Sequence, residues 1–319
     1  MKYKRLLSLF LVFAMSLVAL CGCEKGLDPK VDNILTTEEG LSYYESDKIK
    51  VMSQNIHHAN AESPNSLNER AKRFEEILPK YDADVIGMQE LRPGWESTFI
   101  FDIFPEYECE KFYRSSQVQE GLFIFWKADK LELVESGMFW FSDTPDEESP
   151  TFHVSQEEID AGNANRITAW VKLKVIKTGK EFYYFNTHLH NADESHMASV
   201  ELLIEKAKEI CGDTPMYMSG DLNIVAPEFS TATPNEIASH EKLLTYFDDL
   251  AQLFGKEKEG TFPSYGKNLA ADRVNPRIDY FFTPKNGKAI PMSYQVMTDT
   301  VDGFYCSDHY GVVAEIIMT

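Results

Sequence analysis

The chain has 319 residues, with 31 Lys and Arg against 51 Asp and Glu, a formal net charge of −20. Its 43% hydrophobic content is too apolar for a disordered protein, and five Cys in this length exclude a dense disulfide framework. The acidic balance argues against a stable duplex-DNA partner, which is held by Lys and Arg neutralising phosphates. It leaves a phosphate-bearing substrate open, because a metal in a cleft reverses the local sign.

Lys2, Lys4 and Arg5 precede an apolar stretch from Leu6 to Leu20, interrupted only by Ser8 and Ser16. A spanning helix needs about 20 apolar residues, so this stretch reads as a signal-peptide core. Leu20-Cys21-Gly22-Cys23 follows and resembles a bacterial lipoprotein signal, with Cys23 as the lipidated residue after Gly22. The expected order is a leader over 1–22, a tether over 23–47 with little apolar rhythm, and a domain over 48–319. This reading places the protein in the cell envelope, lipid-anchored in the membrane through Cys23 on the periplasmic face or cell surface. Plain secretion is the alternative. Cleavage would remove three basic residues and no acidic one, leaving the remainder more negative still. Cys109, Cys211 and Cys306 then allow at most one bridge.

From residue 49 strand and helix patterns alternate. Ile49 to Ser53 is a short β run ending at Asn55, and Leu67, Ala71, Phe74, Ile77 and Leu78 recur at helical spacing before Pro79. Val85 to Met88 predicts a buried strand ending at Gln89-Glu90. Further strands are predicted over 122–126, 167–175, 182–186, 216–219, 278–282 and 312–317. Val200, Leu203, Ile204, Ala207 and Cys211 line one face of a helix beginning near Asp193. The mixture predicts an α/β protein with a large, mostly antiparallel core covered by helices.

Asn55, Glu90, His188, Asp221, Asn223, Asp279, Asp308 and His309 all fall at or just past apolar runs, where a rigid sheet can hold side chains in a shared cleft. A carboxylate beside an apolar strand is costly unless paired, and a hard divalent cation such as Mg²⁺ is a natural partner for oxygen donors. The two imidazoles can donate to an oxyanion, and the amides can orient water or phosphate. Together these residue types suit metal-assisted attack of water on a phosphoester.

Ser53-Gln54-Asn55-Ile56, Met88-Gln89-Glu90-Leu91, Asn186-Thr187-His188-Leu189, Ser219-Gly220-Asp221-Leu222-Asn223, Arg277-Ile278-Asp279-Tyr280 and Ser307-Asp308-His309-Tyr310 occur in that order. This series resembles the endonuclease/exonuclease/phosphatase superfamily, with its DNase I-like fold, over essentially the whole domain. The segment Phe139 to Pro145, with Asn165-Arg166 downstream, is similar to secreted bacterial members. The resemblance implies a four-layer α/β/β/α sandwich of two mostly antiparallel sheets covered by helices. It implies Glu90 as principal Mg²⁺ ligand, with Asn55 nearby and Asp308 on the metal or its water; Mn²⁺ is an alternative ion, and a second ion is left open. Asp221 would orient or deprotonate the attacking water, and Asn223 would bind a phosphate oxygen. His309, oriented by Asp279, would stabilise the developing charge. His188 would be a second phosphate contact or the acid protonating the leaving oxygen, and Arg166 a phosphate clamp.

Some positions depart from the family pattern. His57 and His58 follow Asn55 where relatives often carry a carboxylate or an arginine, and Leu189-His190-Asn191 replaces an Asp-then-His pair. Taken singly, His57, His58, His190 and His196 read as solvated, Asn223 as turn chemistry, and the four Trp as packing, with Trp140 the candidate exception. The expected partner is a phosphoester substrate: a small molecule, a lipid headgroup or a short nucleic acid. Extracellular nuclease action on short or single-stranded nucleic acid, sphingomyelinase-like hydrolysis of phospholipid, and a catalytically silent surface binding module are the competing readings.

Overall fold

Most central strands bury apolar side chains on both faces, so each sheet is covered on both sides. The computed structural model describes residues 47–96, 102–103 and 105–319; the predicted leader, Cys23 and all but the last residue of the predicted tether lie outside them. One six-stranded sheet has the order β11-β12-β1-β2-β4-β3, from β1 (Lys48–Asn55), β2 (Val85–Leu91), β3 (Tyr107–Tyr113), β4 (Gly121–Lys127), β11 (Ala289–Met297) and β12 (Gly311–Met318). The other has the order β5-β6-β7-β8-β10-β9, from β5 (Leu131–Trp140), β6 (Ile167–Val175), β7 (Glu181–His188), β8 (Met216–Asp221), β9 (Phe247–Asp249) and β10 (Asp279–Pro284). β1 pairs parallel with β2 and β7 parallel with β8, among otherwise mostly antiparallel ladders.

Successive side chains leave a strand on opposite faces. Val51, Ile124, Tyr184, Tyr217 and Phe281 therefore meet between the sheets. Their neighbours Met52, Phe123 and Phe125 face α1 (Leu67–Ile77), which contributes Ala71, Phe74 and Ile77. On the far side, Tyr183, Phe185, Met216, Met218, Tyr280 and Phe282 face α2 (Asp193–Cys211), through Val200, Leu203, Ile204 and Ala207, and Leu243 of α3 (Pro234–Leu243). The result is the four-layer sandwich. Cys109, Cys211 and Cys306 are free thiols, and no helix among the described residues is long and apolar enough to cross a membrane.

Two contacts carry this frame toward one end of the sheets. A Cβ on Gly220, whose φ is +149°, would sit 1.9 Å from the Thr187 carbonyl oxygen, so only glycine lets β8 lie this close to β7. Between the sheets, Gln89 Nε2 donates to Asn186 Oδ1 at 2.7 Å, and Asn186 Nδ2 donates to the Met88 and Phe123 carbonyls at 3.0 and 3.1 Å. These buried bonds tie the two sheets together directly beneath the polar strand ends.

Arg277 is fully buried and pairs with Asp249 at 2.9 Å, while His240 Nε2 lies 3.1 Å from the same carboxylate oxygen. Removing one member of a buried pair strands the other charge. Asp249→Ala is therefore expected to lower unfolding free energy by about 3–5 kcal/mol, read from urea denaturation; an unshifted midpoint would show that the pair contributes nothing.

Candidate active site

The register brings the motif residues together. His188 is directly opposite Asp221 in the parallel β7–β8 pair, and Asp279 is directly opposite Asp221 in the antiparallel β8–β10 pair. In the facing sheet, the parallel β1–β2 pair sets Asn55 opposite Gln89, one residue before Glu90. Carboxyl ends of β1, β2, β7 and β8 thus meet the amino end of β10. The Asp308-His309 turn leads into β12.

Glu90 is aimed by a distortion. The β2–β4 register shifts between Met88 and Leu91, and Glu90 itself has φ +66°, a left-handed conformation costly for a residue with a Cβ. Its carboxylate accepts from Asn55 Nδ2 at 3.0 Å and from the His58 backbone N–H at 2.9 Å, and lies 2.6 Å from His58 Nδ1. Burial alone would raise its pKa, but the His58 hydrogen bond and the nearby His188 and His58 imidazoles hold it well below the ordinary range.

Asp221 is the hub. Asn55 Nδ2 donates to its Oδ2 at 2.9 Å, and His188 Nε2 and His309 Nε2 lie 3.6 and 3.7 Å from that same oxygen. Burial pushes the Asp221 carboxyl up to about 7; the positive end of His309 opposes this and Asp279 reinforces it. His309 Nδ1 lies 3.0 Å from Asp279 Oδ2, and its ring packs 4.8 Å from Phe262. Burial disfavours the imidazolium, yet Asp279 and Asp221 together raise the His309 pKa well above its ordinary value. His188 goes the other way, pushed down to about 3 by burial and by Arg166. One imidazole is held charged and the other neutral, at opposite flanks of one carboxylate.

The remaining predicted residues are placed less centrally. Asn223 has φ +51°, its backbone N–H donates to Asp221 Oδ1 at 2.9 Å, and its Nδ2 donates to the Leu189 carbonyl at 3.1 Å. It forms the turn that its residue type favours. Arg166 Nε donates to the same Leu189 carbonyl at 3.2 Å. Asp308 Oδ2 lies 3.8 Å from His57 Nε2.

Of the four histidines expected to be solvated, His190 and His196 are buried, and His57 and His58 are partly exposed but engaged by neighbouring groups. His58 holds Glu90, and His57 Nδ1 lies 2.6 Å from the Tyr265 hydroxyl, with Asp308 and Glu90 both near enough to act on its ring. The loop carrying both is clamped by buried Arg70, whose Nη1 donates to the Ile56 and His57 carbonyls at 2.6 and 3.0 Å. His190 is buried, and its Nδ1 accepts from the Ala192 N–H at 3.0 Å, bracing the loop after His188. His196 is also buried. Trp140 donates through Nε1 to the Arg114 carbonyl at 2.9 Å, a packing role. Glu120, missed in the sequence, is buried beside this cluster, gripped by Arg92 at 2.6 Å and Arg114 at 3.0 Å and lying 3.8 Å from His58. A Glu at the start of an apolar strand was the signal available for it.

Donor atoms of Glu90, His188 and Asp221 lie within 4.8 Å of one another, and so do those of Asp221, Asp279 and His309. Glu90 and Asp308 supply carboxylates, and Asn55 Oδ1 keeps a lone pair beside its bond from the His57 N–H. This oxygen-rich set fits a hard divalent cation.

The model of the endonuclease/exonuclease/phosphatase family matches residues 52–309. An endonuclease/exonuclease/phosphatase family protein from Bacteroides thetaiotaomicron superimposes with a TM-score of 0.69 at 25% identity, over 85% of this chain and 98% of that one. A mannosyl-6-phosphatase from the same species gives 0.69 at 24% identity, over 85% and 100%. Nocturnin of Drosophila melanogaster is 23% identical over 243 residues, 68% of this chain; the match spans only 35% of that relative's length. The shared fold, the ordered motifs and the family match through His309 lead to one conclusion: the chain belongs to the endonuclease/exonuclease/phosphatase family of phosphoester hydrolases.

Proposed function

We propose that the protein is a Mg²⁺-dependent phosphoesterase of the cell envelope, lipid-anchored through Cys23, that hydrolyses a phosphomonoester or phosphodiester bond of a small substrate. The observation that carries this is the Asp221 hub, with Asn55 bridging it to Glu90 and the His188 and His309 imidazoles both facing it. Glu90, Asn55 and Asp308 would hold the ion, whose bound state supplies a Lewis acid for the phosphoryl oxygens.

The side chains of the chain then divide the work. Asp221, with its pKa near neutrality, accepts the proton of the attacking water. His309 stays charged against Asp279 and stabilises negative charge developing on the phosphoryl oxygens. A neutral His188 contacts phosphate rather than serving as the acid. Arg166, with Nε on the Leu189 carbonyl and no carboxylate within ion-pairing distance among the described residues, adds positive charge beside His188 and Asn223. The net charge of −20 favours a small substrate over a polymer, whose repeated phosphates would be repelled along the surface.

The test is turnover of p-nitrophenyl phosphate and bis-p-nitrophenyl phosphate by the purified protein with Mg²⁺, followed by sugar phosphates, nucleotides and phospholipids. EDTA-sensitive hydrolysis is expected, with sugar phosphates or nucleotides preferred over oligonucleotides. Absence of EDTA-sensitive turnover across the panel overturns the proposal, and a preference for oligonucleotides or phospholipid overturns its substrate class.

A further inference from the structure

A second group of donors, sharing no residue with the catalytic cluster, converges where two helices begin. Asp193 and His196 lie on the first turn of α2, and Glu236 on the first turn of α3; one donor atom from each falls within 4.8 Å of the other two. His196 is only 1% exposed. Its Nε2 lies 2.9 Å from the His190 carbonyl oxygen, which can only accept, so Nε2 carries the proton. Nδ1 is then a bare lone pair. It has no hydrogen-bond partner, and it faces Asp193 Oδ1 at 3.7 Å.

Three lone-pair-bearing groups within 4.8 Å of one another favour a positive charge between them. A proton on Nδ1 would provide it, but burial lowers the His196 pKa from its ordinary value despite the nearby carboxylates. The carboxylates are already placed: Asp193 Oδ1 accepts from the Thr233 hydroxyl at 2.8 Å, and Glu236 accepts from the Val225 and Thr233 N–H groups at 3.0 and 2.7 Å. Each oxygen keeps a further lone pair. Asp193 is 40% exposed, which leaves an entry path.

We propose that His196 Nδ1, Asp193 and Glu236 form a structural site for a divalent transition-metal ion, Zn²⁺ by its ligand chemistry. An imidazole with two carboxylates and water as fourth ligand is a zinc donor set, whereas Mg²⁺ and Ca²⁺ favour oxygen alone. Two carboxylates balance the charge of a dication. The Nε2–H bond to a carbonyl is the outer contact that fixes the tautomer of metal-binding histidines. Bonds of about 2.1 Å in a tetrahedron set donors about 3.4 Å apart, so binding draws the three donors inward by up to about 1 Å. The ion would staple α2 to α3. It would also steady the loops after His188 and Asp221, since His196 holds His190 and Glu236 holds Val225.

His196→Gln separates the two roles of this ring, because the Gln amide can still donate to His190 while Nδ1 is lost. Metal content is measured on the purified protein after Zn²⁺ loading and desalting, alongside Glu90→Gln, which alters only the catalytic cluster. His196→Gln is expected to hold one Zn²⁺ fewer than wild type, to lose a Zn²⁺-dependent rise in melting temperature of roughly 5–10 °C, and to keep its circular dichroism. Glu90→Gln is expected to keep that rise. Equal zinc content in wild type and His196→Gln, or no zinc-dependent rise in wild type, overturns the site. Should His196→Gln fail to fold, Asp193→Asn, at a partly exposed position, reads out the same loss.

Discussion

Asp221→Asn is expected to lower kcat/KM by about 10²–10⁴-fold, the range associated with losing a positioned general base, while leaving the circular dichroism unchanged. The substitution keeps volume and shape but fails on two counts. An amide cannot accept the proton of the attacking water. It also cannot satisfy its surroundings: if its oxygen keeps the bond from the Asn223 N–H, its NH₂ must face the NH₂ of Asn55. Asn55 cannot turn over to compensate, because its Oδ1 holds the His57 N–H and its Nδ2 holds Glu90. Steady-state kinetics on the best substrate of the panel decide the matter. A rate within tenfold of wild type, a difference of about 1.4 kcal/mol, would take Asp221 out of the proton-transfer role.

Glu90→Gln is expected to cost at least about 10²–10³-fold in kcat, comparable to losing a preorganised electrostatic contact, and to shift the Mg²⁺ dependence to higher concentration. The change removes one negative charge and also replaces one acceptor oxygen, bonded by Asn55 Nδ2 or by His58, with an NH₂ donor, so the Mg²⁺ dependence rather than the rate alone reports the charge. In the wild type the carboxylate is held ionised, because the His58 hydrogen bonds and the nearby His188 and His58 imidazoles together outweigh the burial that opposes it; a cation arriving there meets a ligand needing no proton released. EDTA should abolish wild-type turnover and excess Mg²⁺ restore it. In Glu90→Gln, restoration should need more Mg²⁺ and remain incomplete. A variant with wild-type Mg²⁺ dependence would move the principal ligand elsewhere, Asp308 being the next carboxylate near His57.

The strands visible in the sequence and those hidden in it differ in burial. β2, β4, β7, β8, β10 and β12 are central, covered on both faces, and appear as largely apolar runs close to their actual limits, while central β6 alternates apolar residues with half-buried Trp170, Lys172 and Lys174. β3 and β9 are edge strands, and β5 is an edge strand with a register shift between Leu133 and Glu135, so their sequences mix polar and apolar residues. β11, the other edge, contains Pro291 next to a shift in register. α3 went unseen because its amino end is marked by Thr233 and Glu236 rather than by an apolar stripe.

The site divides along a similar line. Asn55, Glu90, His188, Asp221, Asp279 and His309 were legible because strand ends and ordered motifs are local properties of a chain. The environments of the histidines were not. His57 and His58 enter the site because buried Arg70 draws their loop inward, and that arginine comes from a helix twelve or more residues later. His190 and His196 are buried because the loop after β7 folds onto the start of α2. The amino-acid order by itself determined the fold class, the family and the residue types of the chemistry, since periodicity and motif order need no partner from elsewhere in the chain. Only the tertiary structure decided which imidazole is charged, which carboxylate is the hub and where unpartnered lone pairs converge, because protonation depends on burial and on charges contributed by distant segments.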